Sequence, residues 1–154
     1  EELIDTWESL EVKDFKLIII GEGPLYENLK KNDLGSIEII GYKENNEVLK
    51  IINESKAVVT ATKLFEGQPT LLCEASALSV PAIFPDSGGI KDFFPPDNRF
   101  KFQQYNYFEL GEKLQDVIDS DDIEYQGLEN QKFIYDYLSE ENLIDSLNSI
   151  LESK

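Results

Sequence analysis

The stretch from Leu64 to Phe94, LFEGQPTLLCEASALSVPAIFPDSGGIKDFF, holds the residues of this chain best placed to do chemistry. Pro69 suits the first turn of a helix, where a missing N–H costs nothing. Leu71, Leu72, Ala75 and Leu78 then form an apolar face, and Thr70, Glu74 and Ala77 share another. Helical side chains lean toward the N-terminus, so Glu74 reaches back over the first turn. The first-turn amides around Thr70 and Leu71, with the helix dipole, make an anion site suited to a diphosphate. Glu74 repels such an anion but can accept two hydrogen bonds from a ribose diol beside it. Glu66 lies in the loop ahead of the helix, where a transferred group would project. The bland alternative makes Glu66 a loop carboxylate and Glu74 a solvated helix residue. Elsewhere the signals are weaker. Gly21 and Gly23 in GEGP form either a tight turn or a phosphate contact, and Tyr26 occupies the place of a third fingerprint glycine. Lys43 is a solvated loop lysine or, next to Tyr42, borders a nucleobase. Gly88-Gly89 leads into a helix or lets a ligand approach.

These residues need a scaffold, and the hydrophobic pattern supplies one. Short apolar runs at 17–20, 37–40, 57–59, 80–84 and 100–102 read as strands. Between them lie amphipathic segments: Leu3, Trp7 and Leu10; Leu25 and Leu29; Val48, Ile51 and Ile52. Strand runs alternating with helical patterns predict an α/β fold, a doubly wound parallel sheet with helices on both faces. Runs 17–20, 57–59 and 80–84 are continuously apolar, as central strands are. Ile37-Glu38-Ile39 and Phe100-Lys101-Phe102 alternate, as edge strands do. Three helices follow, near 107–119, 123–138 and 140–153, the last with Leu143, Leu147, Ile150 and Leu151 at helical spacing. A doubly wound sheet normally opens on a strand, whereas this chain opens on a helix. We therefore expect strands 17–20 and 57–60 to flank the place of a missing first strand, either pairing directly or enclosing a foreign segment.

Composition excludes several functions. The 154 residues carry 14 Lys+Arg against 31 Asp+Glu, a formal net charge of −17. That surface repels nucleic-acid phosphates and anionic lipid. No apolar run approaches the ~20 residues of a membrane span, and EELIDTWESL lacks the features of a signal peptide. Cys73 is the single cysteine, so there is no disulfide framework. Histidine is absent, which removes Ser-His-Asp and Cys-His catalysis and His-ligated zinc.

EGQPTLLCEASALSVP resembles the E-x7-E motif of retaining GT-B glycosyltransferases of family 4, also called glycosyl transferases group 1, with Glu66 and Glu74 at its two glutamates. KLIIIGEGPLYENLKK and IEIIGYKENNEVLKIINESKAVVTAT resemble the units leading to it. PAIFPDSGGIKDFF resembles its GG-x-x-E stretch, with Asp92 in the glutamate's place, and Ser79 stands where the family usually has glycine. The resemblance implies one Rossmann-like, donor-binding domain over residues 1–154, half of a GT-B fold with C-terminal helices. It implies that Glu66 contacts the transferred sugar and Glu74 the ribose. Amides of Gly67, Gln68, Thr70 and Leu71 hold the diphosphate, with Gly21 and Gly23 nearby, and Tyr42 and Lys43 border the base. The donor is a nucleotide sugar; transfer retains configuration and needs no metal or other cofactor. The family's diphosphate-clamping Arg and Lys and its N-terminal acceptor domain, a partner in the same chain, are expected in a longer, cytoplasmic enzyme of polysaccharide or glycoconjugate biosynthesis, which touches membranes, if at all, through that absent domain. The 154-residue piece is expected to bind nucleotide weakly and not to turn over. Rival readings are a GT-B sugar-nucleotide epimerase or phosphorylase, and a non-catalytic flavodoxin-like interaction module.

Overall fold

Each apolar run becomes a strand and each amphipathic segment a helix in the computed structural model, which describes residues 1–30 and 35–152. The order is α1 (Glu2–Ser9), β1 (Leu17–Ile20), α2 (Tyr26–Leu29), β2 (Ile37–Gly41), α3 (Asn45–Glu54), β3 (Val58–Val59), α4 (Thr70–Ala77), β4 (Ala82–Asp86), a 3-10 turn (Ile90–Phe93), β5 (Lys101–Gln103), α5 (Tyr107–Asp119), α6 (Ile123–Tyr137) and α7 (Glu140–Glu152). All strand pairs are parallel. β4 is the strand buried on both faces. Ile83 joins Trp7, Phe102, Leu110 and Leu114 on the side of α1 and α5. Its neighbours Ala82 and Phe84 join Ile52, Leu72, Ala75 and Phe94 on the side of α3 and α4. That alternation is the period of two of a strand between helical layers.

The pairing order is β2-β1 in one sheet and β3-β4-β5 in another. β2 and β5 lie at edges, as their alternating patterns predict. β1 and β3, however, are not paired with each other, and no other strand among the described residues lies between them. A cavity of about 700 Å³ separates them, lined by Ile18, Ile19, Val59, Ile51, Trp7 and Leu114 among others. Because no described residue covers this flank, Ile18 is 41% exposed, although the run Leu17 to Ile20 reads as a fully buried strand. Leu71 departs from the expected buried face of α4 for the same reason: it is exposed and lines the cavity.

Helix α1 runs antiparallel to the strands. Its start is tied to the carboxyl end of β3 by the Glu2–Lys63 ion pair, in which the ammonium holds the Glu2 carboxyl below its ordinary value. Near its end the Trp7 Nε1–H donates to Ser36 Oγ at 2.9 Å, just ahead of β2. At the other end of the chain, α7 is a helix as its spacing predicts, but Leu143, Ile144, Leu147 and Leu151 are all exposed. Periodicity made the helix; no neighbour among the described residues buries its apolar face.

Helix α4 ends in a left-handed turn at Ser79 (φ 60°). The Val80 N–H donates to Ala75 O at 2.9 Å and the Ser79 N–H to Ser76 O at 3.0 Å, the paired bonds that close a helix through a residue usually glycine. A β-carbon in this conformation costs about 1 kcal/mol. Ser79→Gly is therefore expected to stabilise the chain by up to about 1 kcal/mol and raise Tm by about 2–4 °C in thermal unfolding. An unchanged or lower Tm would show that the hydroxyl compensates for the backbone cost.

Candidate active site

The parallel strands end together, and the loops after them assemble the site. After β1, Gly21 adopts φ 121° and donates its N–H to Gly41 O at 2.8 Å, joining the first two loops. Gly41 also needs its bare Cα: at φ 70°, an added Cβ would lie 2.8 Å from Tyr26 Oη. Gly23 is open to solvent. After β2, the Tyr42 N–H faces Glu22 Oε1 at 3.5 Å and its hydroxyl donates to Glu44 Oε1 at 3.1 Å. The ring itself is 65% exposed, so its face is open to a flat ligand. Gly21, Tyr42, Lys43 and Leu71 share the lining of the cavity described above, at its carboxyl end.

After β3, the loop 64–69 carries Glu66, half-buried, and leads into α4. Pro69 sits one place earlier than its helical preference suggests, at the N-cap rather than in the first turn, with its carbonyl accepting from the Leu72 and Cys73 amides. No side chain caps this helix, so the amides of Thr70 and Leu71 lie at a bare N-terminus. Glu74 is half-buried one turn further along α4, and its Oε1 accepts from Asn45 Nδ2 at 3.4 Å. Gly67, Gln68 and Thr70 are exposed around the helix start. Burial pushes the Cys73 thiol up and so disfavours its thiolate, offset in part by a hydrogen bond with Gln68.

After β4, Gly88 (φ 55°) and Gly89, the N-cap of the 3-10 turn, form the helix entry expected of them, and both also lie against the protein's own backbone. The Gly89 N–H donates to Glu66 O at 2.8 Å. At Gly88 (φ 55°) an added Cβ would lie 2.7 Å from Glu66 O, and at Gly89 2.8 Å from Gly67 O. The backbone that approaches these glycines is the protein's own Glu66 loop. Asp92 follows, exposed, in the 3-10 turn. Cations are arranged unevenly: Lys63 pairs with Glu2, and Lys91 and Lys101 flank Asp86 at 3.5 and 3.9 Å. Lys43 makes no ion pair among the described residues, which leaves its charge available at the cleft.

The sequence thus locates the loops after β1, β2, β3 and β4 but does not reveal Glu22, Glu44 and Asn45. Asn45 carries a local signal, as the first helical residue after Tyr42-Lys43-Glu44. Its contact with Glu74, 29 residues away, does not.

Loops at the carboxyl ends of a parallel α/β sheet, with an uncapped helix start between two glutamates in the chain, make a cleft of the kind in which such folds bind ligands. The chain belongs to the glycosyl transferases group 1 family, whose pattern matches residues 1–135. It is 26% identical over 144 residues, 90% of its length, to an uncharacterized glycosyltransferase of Methanocaldococcus jannaschii, covering 41% of that protein. Over 87 residues, 53% of the chain, it is 34% identical to the amylovoran biosynthesis glycosyltransferase AmsD of Erwinia amylovora, covering 24% of it. The chain therefore spans less than half the length of these relatives. Among solved structures it is similar to S. aureus TarM, in complex with fondaparinux, alpha-GlcNAc-glycerol and UDP, with a TM-score of 0.80 and 25% identity over 96% of this chain and 31% of that one. The catalytic domain of the Helicobacter pylori cholesterol-alpha-glucosyltransferase superposes with a TM-score of 0.76, at 23% identity over 88% of both chains, and shows the shared fold.

Proposed function

We propose that this chain is the donor-binding half of a retaining glycosyltransferase, moving a sugar from a nucleoside diphosphate to an acceptor. The observation that carries this reading is the placement of Glu66 and Glu74 on either side of the uncapped start of α4. A diphosphate at that start meets the amides of Thr70 and Leu71 and the positive end of the helix dipole. Glu74, further along α4, accepts from the ribose hydroxyls. Glu66 receives the sugar in front of the helix, with Gly67 and Gln68 between, and Tyr42 and Lys43 border the base. As the bond from C1 to the diphosphate breaks, the acceptor oxygen bonds C1 from the same face, which retains configuration. Negative charge then grows on the diphosphate, where fixed dipoles stabilise it better than mobile water does. No metal or further cofactor takes part. The similar TarM structure contains UDP, which supports a nucleoside diphosphate as the ligand class, and the name of AmsD supports polysaccharide biosynthesis as the setting. Calorimetric titration of the chain with uridine, guanosine and adenosine diphosphates tests the reading. One of the three is expected to bind. Silence with all of them would favour a non-catalytic interaction module instead.

The same reading places the acceptor domain, and one strand between β1 and β3, in a longer protein. No helix among the described residues is long and apolar enough to cross a membrane. Helix α1 starts at the carboxyl end of the sheet and runs back antiparallel, as the crossover after such a strand must. The slot is roofed on one side by Val48 and Ile51 and on the other by Trp7, Leu114 and Val117, so the strand that fits it is apolar on both faces. A protein extended upstream of Glu1 is expected to protect the β1 and β3 amides from hydrogen exchange. It is also expected to bind less of an apolar dye such as anilinonaphthalene sulfonate than the 154-residue chain. Equal dye binding and equal exchange at Ile18 and Val59 would show that no strand enters.

A further inference from the structure

We propose that Asn45 is the positioning residue for Glu74, and through it a determinant of ribose recognition; this rests on the function proposed above. Glu74 makes no ion pair among the described residues, and the side chain that reaches it is Asn45, whose Nδ2 donates to Oε1 at 3.4 Å. The choice of an amide has a chemical consequence. A lysine or arginine in that place would draw the whole carboxylate into a salt bridge and compete with a diol. A carboxamide holds one oxygen and leaves the other lone pairs free to accept hydroxyl protons. A glutamate held before the ligand arrives also has less rotational freedom to lose on binding.

The mount for Asn45 is itself fixed. It is the first residue of α3, whose start is closed by reciprocal bonds between Glu44 and Glu47, the Glu44 N–H donating to Glu47 Oε2 at 3.3 Å. Glu44 in turn accepts from the Tyr42 hydroxyl. One short segment, residues 42–45, therefore carries the exposed ring at one end and the hold on Glu74 at the other. The loop assigned to the base and the carboxylate assigned to the ribose are mechanically joined, so the distance between base and ribose contacts is set by the start of α3.

The test separates positioning from plain structural support by varying the ligand as well as the protein. Asn45→Ala and Asn45→Asp are made in the full-length protein that carries this chain. Each is titrated calorimetrically with whichever of uridine, guanosine and adenosine diphosphate binds, and with the 2′,3′-dideoxy form of the same diphosphate. Asn45→Asp keeps the shape and suits the first turn of a helix, but it removes the donor and sets a second carboxylate against Glu74. Asn45→Ala is expected to weaken the ribonucleotide by about threefold to tenfold and Asn45→Asp by at least as much. Both variants are expected to bind the dideoxy form as the parent does, to within about twofold, since it lacks the hydroxyls that Glu74 accepts from. Equal losses for both ligands would make Asn45 a merely structural residue and overturn the inference. Unchanged ribonucleotide binding in both variants, with weakened binding in Glu74→Ala, would overturn it while leaving the proposed function intact. Unchanged binding in Glu74→Ala would instead remove the ribose assignment, and this inference with it.

Discussion

Replacing Glu74 with alanine is expected to weaken nucleoside diphosphate binding by about tenfold to hundredfold, whether or not a sugar is attached. The change removes hydrogen bonding to a charged acceptor, a net loss of about 1.5–3 kcal/mol, and each ~1.4 kcal/mol is a factor of ten. Glu66→Ala is expected to behave differently. Glu66 precedes the helix start, in the loop that Gly89 holds, so nucleoside diphosphate affinity is expected to change little. In the full-length enzyme the same substitution is expected to depress turnover strongly, because a contact that tightens as charge develops on the sugar acts on kcat. Calorimetry on both variants, paired with turnover assays of full-length protein, reads the division directly. Equal affinity losses in the two variants would show that the roles are not divided in this way.

The second large effect is on stability and lies far from the cleft. Gly127 is buried in α6, and a Cβ added there would lie 1.9 Å from Ser79 O and 3.2 Å from Pro81 Cδ. The first of these is main chain, fixed by the bonds that close α4, so it cannot swing aside as a flexible side chain would. Gly127→Ala forces α6 off α4, where Gln131 Nε2 also donates to Ala77 O at 2.8 Å. We expect a loss of about 3 kcal/mol and a Tm lower by about 6–12 °C. Urea unfolding of Gly127→Ala beside Ser79→Gly gives the two signs in one experiment. A loss under about 0.5 kcal/mol would mean that the helices separate at little cost.

The elements of this fold are legible in the sequence because each is written in a local period. Leu110, Leu114 and Val117 recur at helical spacing and are buried, and Ile37-Glu38-Ile39 alternates and lies at an edge. What a period does not encode is whether a face finds a neighbour. Leu71 and the apolar stripe of α7 have helical spacing and are exposed, since their burial depends on distant chain. The site divides in the same manner. Its loops follow from the rule that ligands gather at the carboxyl ends of parallel strands, and its glutamates from the family resemblance. The contacts that aim them, Asn45 to Glu74 and Gly89 to Glu66, join residues 29 and 23 positions apart and leave no mark in spacing.

The contact between Gly89 and Glu66 separates two kinds of tolerance in this cleft. The main chain at Glu66 is held by the N–H that Gly89 donates and by two Cα atoms that leave no room for a β-carbon. The side chains of its neighbours Leu64 and Phe65, 71% and 82% exposed, make none of these contacts. Exchanging those side chains is expected to leave the main-chain contacts of Glu66 in place. Gly88 and Gly89, which touch no ligand in this reading, accept no replacement. The positions beside the glutamate are thus open to exchange, and those beneath it are not.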